Sequence, residues 1–410
     1  MLDGLDVLPI GGKMRILTLT RWYPYPTDNG ARLRVFNLLK FLSKKHILDL
    51  IALDTREVGP EDIQAMRMYC QNISVCRLQP YDPGNWKAVL GYLSPAPRSV
   101  VQTYSQEMKQ TVEQACANHS YDVVYAIEPD TAPYARNLPV KVKVLDDLEV
   151  AVMVEQFTRA GSLTAKFKRG LTWLKTAQYY RNMIRDFNGV TVVSDREYEL
   201  VSRLTSGTTA FEIVPNGVDI AAMAGEFGSP EPDTLIYSGA LTYDANYNAV
   251  EYFLKEIFPL IRKQRPQVRL YLTGKNDGVD TSRLPLDDQV NLTGWLSDIR
   301  PRIAQSWVSV VPLRIGAGTR LKILESLALG TPVVSTTKGA EGLQLSAGRD
   351  LMIADTPQAF AQAVLDILED KGKRLQLATT GKETACALYD WPNIVQKLEN
   401  FIGNLVQAHR

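Results

Sequence analysis

Residues 308–334 read VSVVPLRIGAGTRLKILESLALGTPVV, which predicts a strand, a glycine-rich turn and a helix in succession. The apolar run 308–312 is the predicted strand, and its lack of alternation indicates that both of its faces are buried. Gly316 and Gly318 form the predicted turn, and the Gly-Thr-Pro sequence at 330–332 ends the helix. The stretch is therefore typical of one unit of a mainly parallel α/β sheet.

The same alternation of apolar runs and helix-period segments occurs in two series. A turn-rich break at 214–219 separates them, and 225–232 is the predicted linker that opens the second. We predict two doubly wound domains, 1–215 and 216–389, and a C-terminal helix at about 390–410 that packs back on the first. The predicted strands are 15–20, 47–53, 73–78, 123–128, 142–146 and 190–194, then 234–238, 269–273, 290–293, 308–312 and 333–336.

Length and composition exclude several classes of protein. The chain has 410 residues, with 46 Lys and Arg against 45 Asp and Glu, and neither half is basic enough to indicate nucleic-acid binding. We find no apolar stretch long enough to span a membrane and no signal-peptide pattern in residues 1–13, an extension that precedes a second candidate start, Met14. Four cysteines without a CxxC pair and three histidines predict a cytoplasmic protein without a metal site.

The turn at 316–318 has the chemistry of an anion site. Glycines before a helix let the backbone approach an anion, and the helix dipole adds positive charge there. Arg320 and Lys322 add two cations, a pattern that suits a diphosphate without a metal ion. Glu325 lies further along the helix and could bind ribose hydroxyls. The alternative is a solvated basic turn in which Glu325 pairs with Lys322.

Five further motifs accompany this segment, and their order and spacing cover most of the chain. With it, they resemble family-4 retaining glycosyltransferases of the GT-B fold, in which two Rossmann-like domains face each other across a cleft. The motifs are TVVS at 191–194 with VPNGVD at 214–219, YSGAL at 237–241, VNLTGW at 290–295 and GAEGL at 339–343.

The resemblance implies transfer of a sugar from a nucleotide-diphosphate sugar, with UDP or GDP, to an acceptor hydroxyl in glycan, polysaccharide or glycolipid biosynthesis. Glu325 matches the second acid of the family's paired glutamates and would bind ribose, while Gly294 and Trp295 would border the base. The other donor-site positions are Gly239, Gly316, Ala317, Gly318, Thr319 and Leu321. The family requires no catalytic metal and no separate cofactor.

Two departures from the family pattern change the expected contacts. The first glutamate of the pair falls on Ala317, so its contact with the transferred sugar is absent. The family's Arg and Lys at the start of the second domain fall near Ala240 and on Ala245 or Asn246. We therefore expect Arg320 and Lys322 to substitute for that cationic pair.

In the first domain, the resemblance implies that Asn29 and Gly30 approach the donor phosphate. The alternative is a helix start with Asp28 or Asn29 as the N-cap, and Arg32 and Arg34 nearby could face either the cleft or solvent.

Acidic residues follow two predicted strands of the first domain. Ile127 or Glu128 stands where many members of the resembled family carry a histidine near the reacting centre, and Glu128 at a strand's carboxyl end could orient an acceptor hydroxyl or instead cap a helix. We predict a catalytic role for Glu128 and acceptor binding for four others, each of which could instead cap a helix. These are Asp130, Asp146, Asp147 and Glu149.

The segment 157–189 carries seven Lys or Arg, one acid and apolar residues at helical spacing. It predicts a basic amphipathic helix that could rest on the inner face of an anionic membrane, helped by Trp173 and Tyr179, and serve a lipid-linked acceptor. The alternative is the core face of a long helix with a solvated basic side.

Two other functions remain compatible with the sequence. A nucleotide-sugar 2-epimerase would share the architecture but need no acceptor. An inactive nucleotide-sugar-binding scaffold subunit would explain the departures at Ala317, Ala240 and Ile127. The acceptor could be a glycan, a lipid or a small molecule.

Overall fold

The structure is a computed structural model that describes residues 12–146, 150–151, 163–205, 209–316 and 318–409, with the side chains of 163–169 and 171 left out. Within these ranges the chain forms two compact units, residues 1–215 with 394–410, and residues 216–393.

The first unit is built on a seven-stranded parallel sheet in the order β3-β2-β1-β4-β5-β6-β7. The chain reverses its direction of winding between β1 and β4, which makes this the topological switch point of the sheet. The strands are β1 Arg15–Thr20, β2 Ile47–Asp54, β3 Asn72–Arg77, β4 Val123–Ile127, β5 Val142–Asp146, β6 Gly189–Val192 and β7 Ala210–Ile213.

Helices cover this sheet because β-strands buried on both faces need an apolar layer on each side. The helices are α1 Gly30–Leu42, α2 Pro60–Arg67, α3 Trp86–Leu90, α4 Arg98–Thr103, α5 Gln106–Asn118, α6 Ala132–Ala135, α7 Leu163–Ile184 and α8 Asp195–Ser202. The last helix of the chain, α16, spans Trp391–Ala408, and most of it belongs to this unit.

The second unit has a six-stranded parallel sheet in the order β10-β9-β8-β11-β12-β13, with the switch point between β8 and β11. Its strands are β8 Glu231–Ser238, β9 Arg269–Thr273, β10 Val290–Gly294, β11 Ser306–Val311, β12 Val333–Ser335 and β13 Met352–Ile353. Its helices are α9 Ile220–Met223, α10 Asp244–Tyr252, α11 Phe258–Gln264, α12 Arg300–Gln305, α13 Leu321–Ala328, α14 Pro357–Glu369 and α15 Lys371–Tyr389; a π-helical turn, Phe253–Ile257, joins α10 to α11.

The predicted fold class is confirmed, since both units are α/β with parallel sheets. Two strands were not predicted. They are β7, whose four residues are all half-buried, and β13, which is two residues long. Both are sheet edges, where the apolar signal is weakest. Another difference is at residue 128, which the sequence placed in β4 but which lies beyond its end.

Candidate functional site

The carboxyl edge of the second sheet is lined by glycine. The four adjacent strands β10, β9, β8 and β11 end at, or are soon followed by, Gly294, Gly274, Gly239 and Gly316, all with positive φ. A Cβ on Gly274 would lie 2.5 Å from the carbonyl oxygen of Gly239, so these strand ends approach more closely than side chains allow. The N–H groups of Gly239 and Gly274 already donate to the carbonyls of Thr273 and Gly294. The N–H groups of these two glycines are therefore already paired within the edge, so a ligand here would be bound by side-chain donors.

The Lys322 side chain reaches this edge from the first turn of α13. Its Nζ donates to the Tyr237 hydroxyl and to the Asn246 Oδ1, both at 3.0 Å, and lies 4.1 Å from the centre of the Tyr237 ring. A Cβ on Gly239 would come within 2.6 Å of this Nζ, so glycine is required where the ammonium lies. Among the described residues these are its two hydrogen-bond acceptors, which leaves one N–H of the ammonium for a ligand.

Arg320 occupies the N-cap position of α13 and is largely buried. A Cβ on Gly316 would lie 3.0 Å from its terminal guanidinium nitrogen and 3.4 Å from the Tyr243 hydroxyl, so its guanidinium lies beside the predicted turn. The two cations thus come from the start of one helix and meet at the end of β8 and the start of α10.

The electrostatics of this pair favour an anion. Burial, together with the positive charge of Arg320, lowers the pKa of Lys322 to about 7. Glu325 partly offsets this effect, while burial raises its own pKa. When Lys322 is protonated, it and Arg320 place two positive charges at this edge, which a bound diphosphate would neutralise.

Sequence reasoning missed Tyr237 and Asn246 as partners of Lys322. Asn246 is one of the two positions onto which the family's second cation falls. Its side chain also receives a hydrogen bond from the Tyr237 hydroxyl at 2.7 Å and donates to the Ala240 carbonyl at 2.9 Å. Asn246, where the family's second cation is missing, therefore lies beside Lys322, the residue that we expect to substitute for it. That missing cation was the signal in the sequence that could have identified Asn246 as a partner of Lys322.

The other predicted donor residues of this unit lie around the same edge. Gly318 has positive φ, Leu321 begins α13, Thr319 lies between them, and Trp295 is 64% exposed just beyond Gly294. Ala317 lies outside the described residues. Contact of these residues with a nucleotide sugar stays a prediction.

In the first unit, Asn29 is the N-cap of α1, and its Oδ1 accepts from the Arg32 N–H at 3.0 Å. Gly30 is the first helical residue. The capping alternative thus describes the local geometry, while approach to a donor phosphate stays a prediction. The Arg32 side chain is largely buried and does not extend into solvent. Its guanidinium contacts Asp28 at 2.9 Å and Asp54 at 3.4 Å.

The structure corrects the prediction for Asp146. This residue is fully buried, and its two oxygens accept from the Arg34 guanidinium at 2.7 and 3.0 Å and also from the Thr191 hydroxyl. The buried guanidinium neutralises the carboxylate, which is therefore closed to an acceptor hydroxyl. Asp147 and Glu149 lie outside the described residues.

Glu128 and Asp130 lie at the switch point of the first sheet, where β4 ends. Asp130 pairs with the Arg21 guanidinium, which comes from the end of β1. Glu128 is half-buried and adopts φ of 67°, a left-handed conformation that costs a residue with a Cβ about 1–2 kcal/mol. Its backbone N–H donates to the Asp146 carbonyl at 3.0 Å, and its carbonyl accepts from Thr131. Strain of this kind clusters at functional sites.

Helix α7 covers residues 163–184 of the segment 157–189, which the sequence predicts to be a basic amphipathic helix. Trp173 and Tyr179 pack against the core of the first unit, so they are not the membrane anchors that the sequence predicted. Leu174 is exposed, and the remainder of the segment, 157–162, lies outside the described residues. Within the described ranges, no helix combines the length and apolarity needed to cross a bilayer.

The two parallel sheets and their helices match the α/β fold of GT-B glycosyltransferase structures. The chain matches the structure of Anabaena Alr3699/HepE in complex with UDP and glucose with a TM-score of 0.66 and 17% identity, covering 95% of this chain and 99% of that one. That protein has the GT-B fold, and the same fold is shown for this chain.

Proteins of similar sequence indicate more closely which class of protein this chain resembles. Residues 232–370 match the family model described as glycosyl transferases group 1. A 44.6 kDa protein of the cps region of Klebsiella pneumoniae is 21% identical over 86% of this chain and 90% of its own length. The lipopolysaccharide core biosynthesis glycosyltransferase LpsE of Rhizobium meliloti is 33% identical, over 29% of this chain and 37% of its own length. Together these findings support a glycosyltransferase of the GT-B type.

Proposed function

We propose that the protein is a retaining hexosyltransferase that moves a sugar from a nucleotide-diphosphate sugar to an acceptor hydroxyl in the synthesis of a polysaccharide or lipopolysaccharide. The relatives named for a cps region and for lipopolysaccharide core synthesis support this setting. The UDP and glucose of the HepE complex support UDP as the first donor base to test, with GDP as the second. We place the reaction in the cytoplasm, where nucleotide sugars are the donors.

One observation carries the proposal: the Lys322 ammonium and the Arg320 guanidinium converge at the glycine-lined end of β8. Positioned cations stabilise charge that develops on a leaving group without having to reorganise. A departing diphosphate develops such charge, and the unused N–H of Lys322 is available to it. The same two cations make a metal ion unnecessary, so EDTA should leave the transfer rate unchanged.

The proposed chemistry is a front-face displacement. The bond from the anomeric carbon to the diphosphate oxygen breaks, and the acceptor oxygen bonds to the same face of that carbon. The acceptor proton passes to the leaving diphosphate, so no protein nucleophile is required. Glu325 binds the ribose, the exposed Trp295 borders the base, and Glu128 orients the acceptor hydroxyl.

The decisive experiment removes the two cations singly, as Arg320→Ala and Lys322→Ala, and follows release of the nucleotide diphosphate from UDP- and GDP-sugars. We expect kcat to fall by about 10²–10³ for each, the usual cost of losing one positioned donor. Lys255→Ala is the matched control, because Lys255 pairs with Glu251 on the helical surface.

Three results would contradict the proposal. Near-normal turnover of both variants would reject the assignment of the cations. Donor conversion that needs no acceptor and inverts C2 of the sugar would identify an epimerase. Tight binding of nucleotide diphosphate with neither transfer nor slow hydrolysis of any donor would identify a binding subunit.

A further inference from the structure

Exposed apolar side chains are concentrated in the β3–α5 connection of the first unit, called the loop below, which contains the short helices α3 and α4. Among the described residues, seven of the fifteen exposed large apolar side chains fall within residues 81–104, between β3 and α5. Leu93 is 90% exposed, Tyr92 is 67% exposed and Trp86 is 66% exposed. Single exposed apolar residues need no explanation, but a contiguous group marks an interaction surface. The seven are Tyr81, Trp86, Val89, Leu90, Tyr92, Leu93 and Tyr104.

Arg98 holds the tip of this loop in one shape. Its guanidinium donates to the Ala88 carbonyl at 2.8 Å, the Pro83 carbonyl at 2.7 Å and the Tyr92 hydroxyl at 2.9 Å. The same guanidinium lies 4.1 Å from the centre of the Tyr92 ring. A Cβ on Gly91 would lie 2.9 Å from the Arg98 Cα, so the end of α3 and the start of α4 are in close contact. The apolar side chains are thus presented outward by a braced loop.

A second brace ties the loop to α7. The Lys175 Nζ donates to the Gly91 carbonyl at 2.6 Å. One residue before it, Leu174 is 66% exposed and adds an apolar side chain beside the loop. The patch therefore consists of the loop 81–104 and this part of α7. We call it the loop patch.

The charges around the loop patch are positive. Residues 81–104 contain Lys87 and Arg98 against a single acid, Asp82. In the part of α7 whose side chains are described, Lys175 and Arg181 are basic and no residue is acidic. Apolar and aromatic side chains beside Lys87, Arg98 and Lys175 match the interface of an anionic bilayer, where Trp and Tyr lie at the headgroup level and cations pair with the lipid charge.

We propose that the loop patch docks the protein on the surface of a bilayer that contains anionic lipid. Leu93, Leu90 and Trp86 enter the boundary between headgroups and acyl chains, while Lys87 and Lys175 lie against lipid headgroups. The brace by Arg98 lowers the entropy lost on docking, because the loop need not be ordered first. This docking does not depend on the proposed transfer reaction, so each can fail without the other.

The test is sedimentation of the full chain with vesicles, without donor or acceptor. We expect binding to vesicles of phosphatidylglycerol and phosphatidylethanolamine, little binding to phosphatidylcholine alone, and weakening by salt. The double variant Leu93→Glu/Trp86→Glu should reduce the bound fraction at least tenfold. Leu375→Glu is the matched control, because Leu375 is also exposed but lies on α15 of the second unit, and its binding should equal that of the unmodified chain.

Far-UV circular dichroism and the melting temperature establish that each variant folds, and the milder Leu93→Gln replaces the double variant if that one does not. Retention of normal vesicle binding by a folded loop variant would overturn the proposal, as would failure of the unmodified chain to bind anionic vesicles. A dimer of the unmodified chain that the loop variant dissociates would also overturn it, since the loop patch would then be an interface between two copies.

Discussion

Lys322 shows how a half-buried cation can be held ready to bind a ligand. Its ammonium donates hydrogen bonds to two neutral oxygens. A neutral oxygen costs less free energy to bury than a carboxylate, but it does not neutralise the charge of the ammonium. Burial and Arg320 therefore lower its pKa to about 7, from an ordinary value of 10.5. A diphosphate supplies the missing negative charge, so binding should drive protonation of the amine.

This coupling predicts a pH dependence. Above about pH 7 the empty site is increasingly neutral, and binding of a nucleotide diphosphate takes up a proton. The affinity should therefore fall as pH rises from about 7.5 to 9, approaching tenfold per unit, in a range where the phosphate, with a pKa of about 6, is already ionised. Calorimetry in buffers of different ionisation enthalpy measures both the affinity and the proton uptake.

The control for this prediction is Lys322→Arg, whose guanidinium stays charged throughout the range and should give a flat profile. Lys255→Arg should keep the slope of the unmodified chain. A slope that survives in Lys322→Arg would show that another group titrates.

Glu128 allows a second prediction about a single residue. Its left-handed backbone conformation lowers the stability of the fold, whereas its side chain is proposed to orient the acceptor hydroxyl. Among the described non-glycine residues only Asp233 shares a positive φ, and aspartate tolerates it better. Glu128→Gly removes the strain while restoring entropy to the unfolded chain. Its free energy of unfolding in urea should be unchanged or up to about 1 kcal/mol higher, although its transfer rate falls.

Glu128→Gln separates charge from strain, because it keeps the Cβ and the left-handed backbone but loses the carboxylate. It should lower the transfer rate without raising stability. Destabilisation by Glu128→Gly of more than about 1 kcal/mol would mean that the side chain supports the fold, with no strain to relieve.

At the scale of elements, the carboxyl-terminal helix completes the first unit. Gly189 begins β6, and a Cβ there would lie 2.6 Å from the Leu405 Cδ1 and 2.7 Å from the Phe401 Cζ of α16. The last helix thus packs directly on a strand that precedes it by about two hundred residues. The sequence predicts that this helix packs back on the first domain, and the contact with Gly189 is one place where it touches the first unit.

Gly189→Ala should destabilise the protein by about 1–2 kcal/mol, because the added methyl overpacks the contact. Urea unfolding measures the change. Leu405→Ala alone leaves a cavity, but the double variant should recover part of the loss, since the shorter side chain makes room for the new methyl. Strictly additive effects would show that β6 and α16 do not share this packing.

At the scale of the whole molecule, each unit has its own hydrophobic core and its own switch point. The donor residues proposed here from the second sheet come from the loops after β8, β10 and β11. Ligand binding should therefore slow the hydrogen exchange of backbone amides in those loops more than elsewhere in the chain.

Hydrogen exchange with UDP or GDP tests this expectation. We expect the strongest slowing in peptides that cover 238–246, 293–295 and 313–325, and a rise in stability of about 2.7 kcal/mol at a ligand concentration of 100 Kd. Adenosine diphosphate at the same concentration is the control for nonspecific anion effects. Slowing confined to the first unit would contradict the assignment of the second unit to the donor.

Much of this could be predicted from local pattern. The apolar runs predicted eleven strands, and the glycine turn with Arg320 and Lys322 was visible because its residues are adjacent in sequence. The sequence alone did not reveal that Asp146 pairs with Arg34, 112 residues away, or that Tyr237 and Asn246 hold Lys322 from 85 and 76 residues away.

The amino-acid order by itself determined the α/β class, the two series of strands and the place of the cationic turn, because periodicity and glycine act over a few neighbouring residues. Only the tertiary structure decided which carboxylates are neutralised inside the first unit, which hydroxyl and amide receive the ammonium, and which apolar side chains stay in water. Those outcomes depend on which strands become neighbours in a sheet, and strand order is set by packing of the whole unit rather than by any local segment.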